Sequence, residues 1–223
     1  MPFPRSAGVL LHPTSLPGGL GVGDLGESAH RFVDFLHAAG MGLWQVLPLG
    51  PTSGANSPYQ SLSSFAGNPL LISLDALAAS GLLRPADLQT ALFAEDRADY
   101  VRATAVKEKL LRKAFETFAS GRGDKALPEE QSRFRRDQAG WLDDFALFVA
   151  LRARFGGRAW FDWPDADLAA RKPAALAKAR KELERDIVAD CVSSSDAFAQ
   201  MLWDLNGKIA VGFGIERVTV TAR

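Results

Sequence analysis

The stretch AGVLLHPTSLPGGLGVGDLGESAHRFVDFLHAAGMGLWQVLPL, residues 7–49, decides the fold. Ala7–Leu11 is a short apolar run without helical spacing. It stops at His12-Pro13, because proline has no N–H to give to a central ladder. An irregular Gly/Pro-rich segment follows, HPTSLPGGLGVGDLG. Ala29, Phe32, Val33 and Leu36 then recur at i, i+3, i+4 and i+7, one apolar face of a helix. Ser28 or Asp24 is placed to cap its start, and Gly40 to end it. Leu43–Leu49 reads as a second buried strand, closed by Pro48, Gly50 and Pro51. Strand, crossover helix and strand predict a parallel unit with a right-handed connection. In a barrel of such units the loops at the C-terminal strand ends build the site.

The loop after the second strand, GPTSGANSPYQSLSSFAGNP, holds Ser, Asn, Gln and Tyr but no charged residue. Neutral donors and acceptors beside an aromatic, Tyr59, suit a hydroxyl-rich neutral ligand such as a sugar; a plain solvated loop is the competing reading. Leu70–Leu83 mixes a short strand, LLISL, with a short helix ending near Gly81. Three helical stripes follow. The first runs Ala103, Val106, Leu110, Leu111, Ala114, Phe115 and Phe118 and ends at Gly121. The second runs Trp141, Leu142, Phe145, Phe148, Val149 and Phe155 and closes at Gly156-Gly157. Leu176, Ala179, Leu183 and Ile187 make the third. At this spacing the aromatics read as core packing. The cations of the third segment, from Arg171 to Arg185, read as a solvated face with i,i+4 pairs rather than a phosphate site. Beyond Ile187 the character changes. Asn206-Gly207 has the form of a hairpin turn, and Arg217–Thr221 alternates like a half-buried strand. The chain thus divides into residues 1–85, a strand–helix–strand unit with its loops; 86–188, a helical insertion; and 189–223, a divergent tail. Two barrel strands alone would leave hydrogen-bonding edges open.

Composition narrows the function. The 223 residues carry 26 Lys+Arg against 26 Asp+Glu, and 47% are hydrophobic. A nil formal charge lacks the basic excess that a nucleic-acid partner needs. No apolar run approaches a membrane span, and the N-terminus lacks a secretory pattern, so the expectation is a cytoplasmic protein with no membrane partner. One cysteine, Cys191, allows neither a disulfide framework nor a multi-cysteine zinc site.

The candidate motifs mostly fail on spacing. Gly21–Gly26 fits G-x-G-x-x-G, but a dinucleotide turn must follow its strand directly, and here Pro13 and Pro17 intervene. No acid ends the second strand to hold a ribose. His30, Asp34 and His37 share one helix face but read as a solvated polar face, so no metal site is expected. His12, at the end of the first strand, reads as a hydrogen-bonded structural histidine. Glycosyl chemistry needs paired carboxylates. Asp143 and Asp144 adjoin on a helix and diverge, Asp162, Asp165 and Asp167 lie in a Trp/Pro-rich linker, and Asp24 and Glu27 flank the first loop. None ends a barrel strand, so no catalytic residue is assigned in this chain.

Several motifs in order carry a resemblance: HPTSLPG (12–18), GVGDLG (21–26), WQVLPLGPT (44–52), SPYQS (57–61) and FAGNPLLI (65–72). Through them the chain resembles the N-terminal part of the amylomaltases, bacterial 4-alpha-glucanotransferases also called disproportionating enzymes. The likeness continues more weakly through WLDDFALFVALR (141–152) to about Asp186. It implies an α/β fold, the N-terminal part of a (β/α)8 barrel of the α-amylase type with a mostly helical insertion. It also implies a cofactor-free cytoplasmic enzyme that moves α-1,4-glucan segments between maltodextrins with retention. The family's SPYQ motif lies beside the donor sugars, which makes Ser57, Tyr59 and Gln60 the substrate-binding residues. Where family members carry an additional aromatic two residues after GPT, this chain has Gly54. The family's nucleophilic Asp, acid/base Glu and second Asp lie on later strands, past the end of the likeness. The expectation is a barrel left incomplete by truncation or a frameshift after about Asp186, inactive as it stands. The alternative is a non-catalytic glucan-binding or interaction fragment.

Overall fold

The computed structural model describes residues 5–18, 20–89, 93, 97–183 and 218–220. Strand β1 (Gly8–Leu10), helix α1 (Glu27–Ala38) and strand β2 (Leu43–Val46) form the expected parallel unit. The register sets Gly8 against Leu43, Val9 against Trp44 and Leu10 against Gln45. The chain comes close at this pairing: a Cβ added to Gly8 would meet the Leu43 Cβ and carbonyl oxygen at 2.7 Å. Helix α1 starts differently from the cap read in the sequence. Its N-cap is Gly26, without a side-chain cap. Ser28 lies one residue inside the helix, where its Oγ accepts from Arg31 Nη2, and Asp24 Oδ1 accepts from the Gly26 N–H at 3.0 Å instead. The C-terminus follows expectation, with Gly40 at φ +68° behind the last turn.

A third strand corrects the count of two. Strand β3 (Val218–Val220) pairs parallel to β2, with Trp44 opposite Val218 and Val46 opposite Val220, giving the order β1-β2-β3. Within the alternating segment, residues Val218–Val220 form a strand, which takes the β2 edge that two strands alone would leave open. The Asn206-Gly207 turn, Ile187, Arg185 and Cys191 lie outside the described residues.

The LLISL segment is not a strand. Pro69–Leu71 is a 3-10 turn whose N-cap Asn68 accepts from the Leu70 N–H at 3.0 Å. The carbonyls that a ladder would use are taken elsewhere. Leu71 O accepts from the Leu25 N–H, and Leu70 O and Ile72 O accept from Lys107 Nζ. Two short helices follow, α2 (Leu74–Ala79), capped by Ser73, and α3 (Pro85–Leu88). Among the described residues from 97 to 183 the elements are mainly helices: α4 (Tyr100–Ala119), α5 (Leu127–Asp137), α6 (Leu142–Arg154), α7 (Ala166–Ala169) and α8 (Pro173–Glu182). Helix α5 escapes the apolar pattern because it is polar on most faces. Its ends are nevertheless marked, with Pro128, Glu129 and Glu130 in the first turn and Arg135 and Arg136 in the last, complementing the helix dipole.

Three apolar clusters organise the packing. Leu16, Val33, Leu36, Trp44, Val46 and Leu71 join α1 to the sheet. Ile72, Leu77, Leu82, Leu110, Leu111 and Leu127 join residues on both sides of position 85 into one core beneath α4. Leu147, Leu151, Trp163, Leu168 and Leu183 close α6, α7 and α8 on one another. Fully burying one such leucine contributes about 2 kcal/mol. Among the described residues no helix is long and apolar enough to cross a membrane.

Candidate functional site

The C-terminal ends of β1 and β2 carry two loops of opposite construction. After β1, His12 caps the 3-10 turn Pro13–Ser15: its Nδ1 accepts from the Thr14 N–H at 3.3 Å and meets Thr14 Oγ1 at 2.7 Å. Because Nδ1 accepts, the neutral ring carries its proton on Nε2. Thr14 Oγ1 in turn meets the Tyr100 hydroxyl at 2.9 Å, tying the loop to the start of α4. Burial pushes the His12 imidazole below its ordinary range, with the Pro48 carbonyl partly opposing. His12 is thus hydrogen-bonded through Nδ1, whereas its Nε2 is buried with no hydrogen-bond partner among the described residues.

The GVGDLG motif is used for close packing, which explains why its spacing fails as a nucleotide loop. A Cβ on Gly23 would run into the Pro13 carbonyl oxygen and meet Leu16 O at 2.6 Å. On Gly26 it would meet Ser73 Oγ at 2.7 Å. Between them Asp24 turns inward. Its Oδ2 lies 3.0 Å from Lys107 Nζ, and that ammonium also donates to Leu70 O at 2.7 Å and Ile72 O at 2.9 Å. Lys107 is 1% exposed, and all three of its donors are satisfied. Burial pushes its pKa down and Asp24 pulls it back up. The sequence reading passed over Lys107. The signal was its position four residues after Ala103 and three before Leu110, inside the apolar stripe of α4.

The loop after β2 is built from its own backbone. Thr52 and Ser61 form an isolated antiparallel bridge, the Leu62 N–H donates to Pro51 O, and the Gln60 N–H donates to Ser57 O at 3.0 Å. The Ser53 N–H donates to Gln60 O at 3.2 Å, and Ser53 Oγ lies 3.5 Å from Gln60 Oε1. Tyr59 stands 69% exposed at the tip, Gln60 is exposed beside it and Ser57 is half-buried. Phe65 stacks on Trp141 with ring centroids 5.8 Å apart, anchoring the loop's far end to the base of α6. A cleft of about 640 Å³ lies between this loop and helices α4 and α6. Thr52, Ser53, Asn56, Tyr100 and Arg152 are on its wall, whereas Ser57, Tyr59 and Gln60 are not. Gly54 also lines it.

The acids weighed as glycosyl catalysts are placed as follows. Asp144 pairs with Arg171 and Arg180, Asp143 with Arg135 and Asp167 with Lys172, all on the helical part of the chain. Asp165 caps α7. Asp34 and His37 are exposed on α1, and among the described residues no group of three or more His, Cys, Asp or Glu is placed to hold a metal ion.

Comparison with known proteins agrees across sequence and fold. A family described as 4-alpha-glucanotransferase matches residues 11–203. The 4-alpha-glucanotransferase of Synechocystis sp. is 47% identical over 173 residues, 77% of this chain and 34% of that protein. That of Thermus thermophilus is 47% identical over 190 residues, 84% of this chain and 36% of that protein. The solved amylomaltase of Streptococcus agalactiae, in complex with acarbose, superposes with a TM-score of 0.85 at 35% identity, over 97% of this chain and 42% of its own. The chain therefore spans about a third of the length of the curated relatives it matches.

Proposed function

We propose a function from one premise: this chain belongs to the 4-alpha-glucanotransferase family. On this reading it is the N-terminal portion of a (β/α)8 barrel of the α-amylase type, with residues 86–188 as its helical insertion and 189–223 as the tail. It works on α-1,4-glucans in the cytoplasm, without a cofactor. The loop after β2 holds the sugar: Tyr59 stacks on a pyranose face, and Ser57 and Gln60 bond its hydroxyls. The observation that carries this is the loop itself, uncharged throughout, exposed at Tyr59 and set at the C-terminal end of a parallel strand. A ring left in water gains by covering itself with the C–H face of a sugar, while neutral amide and hydroxyl groups replace the waters of the hydroxyls.

Transfer with retention needs a nucleophilic carboxylate and an acid/base about 5 Å apart. The paired carboxylates of α6 and the following segment are engaged by Arg and Lys of the helical part. No acid ends β1 or β2 in the sequence, and on this reading the chain as it stands is a glucan-binding unit without turnover. Incubation of the 223-residue chain with maltotriose tests this. The expected result is no glucose and no longer maltodextrins. Product formed by the purified chain would overturn the no-turnover reading.

A further inference from the structure

A second cavity, of about 290 Å³, lies far along the chain from the loop after β2, among α6, the 3-10 turn Trp160–Asp162, α7 and the start of α8. Its floor is apolar and fixed. Trp163 packs on Phe148 at 6.1 Å and on Phe155 at 5.4 Å, and its Nε1 donates to Arg158 O at 3.3 Å. Its lining also includes the aromatic Trp160 and the charged Asp144 and Arg171. Trp160 lines the cavity yet is 53% exposed, with Phe161 edge-on at 5.6 Å. The lining Asp144 carboxylate accepts from Arg171 Nη2 at 2.8 Å and, from outside the lining, from Arg180 Nη2 at 2.6 Å.

Two features set this lining apart from ordinary surface. A tryptophan held half in water on a short turn leaves apolar area uncovered that folding normally hides. Arg171 has φ +53°, a left-handed conformation just after α7, where glycine is the usual residue. A side chain is thus kept in the lining against the backbone's preference. Asp144, Arg171 and Arg180 retain free lone pairs and N–H groups, since each is about half exposed or more.

We infer that this cavity is an auxiliary binding site for one end of a neutral α-1,4-glucan chain, separate from the Tyr59 loop. The inference rests on the glucan reading above. An indole face beside a planar carboxylate–guanidinium array matches a pyranose, which presents apolar C–H faces and an equatorial belt of hydroxyls. A purely apolar ligand would leave the ion-paired side of the cavity unused.

The test follows the assigned backbone amide and tryptophan indole N–H resonances of the full chain by NMR during titration with maltoheptaose. Trp160 is assigned from the spectrum of Trp160→Phe. The expected result is a saturable shift of the Trp160 and Trp163 signals, unchanged in Tyr59→Ala. Trp160→Ala should raise the Kd read at Trp163 about tenfold, while Trp160→Phe, which keeps an aromatic platform, stays close to the parent. Shifts at Trp160 and Trp163 without any at the Tyr59 loop would support this site and sink the loop's role. Shifts confined to the loop would overturn this site and leave the loop standing. An anilinonaphthalene sulfonate probe that binds at Trp163 where maltoheptaose does not would also overturn it, and no shift at either place would overturn both.

Discussion

The loops after β1 and β2 start from equivalent places, each at the C-terminal end of a parallel strand, and are put to different uses. The first is drawn inward. Its glycines allow backbone contact, His12 and Thr14 reach Tyr100 on α4, and Asp24 meets the buried Lys107. The second bridges itself at Thr52–Ser61 and presents Tyr59 to water. The difference teaches that loops at equivalent strand ends can be built inward against the fold or outward on their own backbone. One loop of such a pair can anchor an insertion so that the other can be left open.

Breaking the first loop should cost far more than trimming the second. Lys107→Met removes a cation that satisfies one carboxylate and two carbonyls inside the fold. It should destabilise the chain by about 4 kcal/mol, read as a fall in the denaturation midpoint. Thr14→Val severs the link between His12 and Tyr100 and leaves the phenol hydroxyl unpaired. About 2 kcal/mol is the expected loss on the same measurement.

The His12 environment makes a smaller, pH-dependent statement. Burial lowers its pKa in the folded state, so between that value and the ordinary one of about 6.5 the unfolded chain binds the extra proton. Stability should therefore be full above about pH 6.5 and fall as pH drops through this window. His12→Gln should flatten that slope while leaving a second one at lower pH. The second belongs to Asp87, whose carboxyl is held far below the usual range by Arg84 first and Lys113 next, and whose contribution fades only below about pH 4. A slope unchanged in His12→Gln would assign the window to another group.

The smallest stability effect belongs to the second loop. Tyr59→Ala, at an exposed tip, should move stability by no more than about 0.5 kcal/mol. An equal loss in Tyr59→Ala and Lys107→Met would erase the contrast between the loops.

What the sequence made legible was whatever local pattern alone determines. The strand–helix–strand unit follows from two apolar runs and one 3.6-residue stripe, and α4 and α6 from stripes closed by glycine. The family resemblance, carried by HPTSLPG, GVGDLG and SPYQS, is matched by the family and by the relatives. What stayed hidden depends on partners distant in the chain. Lys107 pairs with Asp24 across 83 residues, and it is this ammonium that draws the carbonyls of Leu70 and Ile72 out of any ladder. The parallel pairing of Val218–Val220 with β2 is equally non-local, since alternation announces a strand but not its neighbour. Tyr100 entered the site through Thr14, 86 residues away, and no spacing rule connects them.

The most direct test is a calorimetric titration of the 223-residue chain with maltotriose, repeated with Tyr59→Ala. The expected result is saturable binding that weakens about tenfold in the variant while its thermal midpoint stays in place. Binding of equal strength in both proteins, or none in either folded protein, would contradict the assignment of the loop after β2 as the glucan contact.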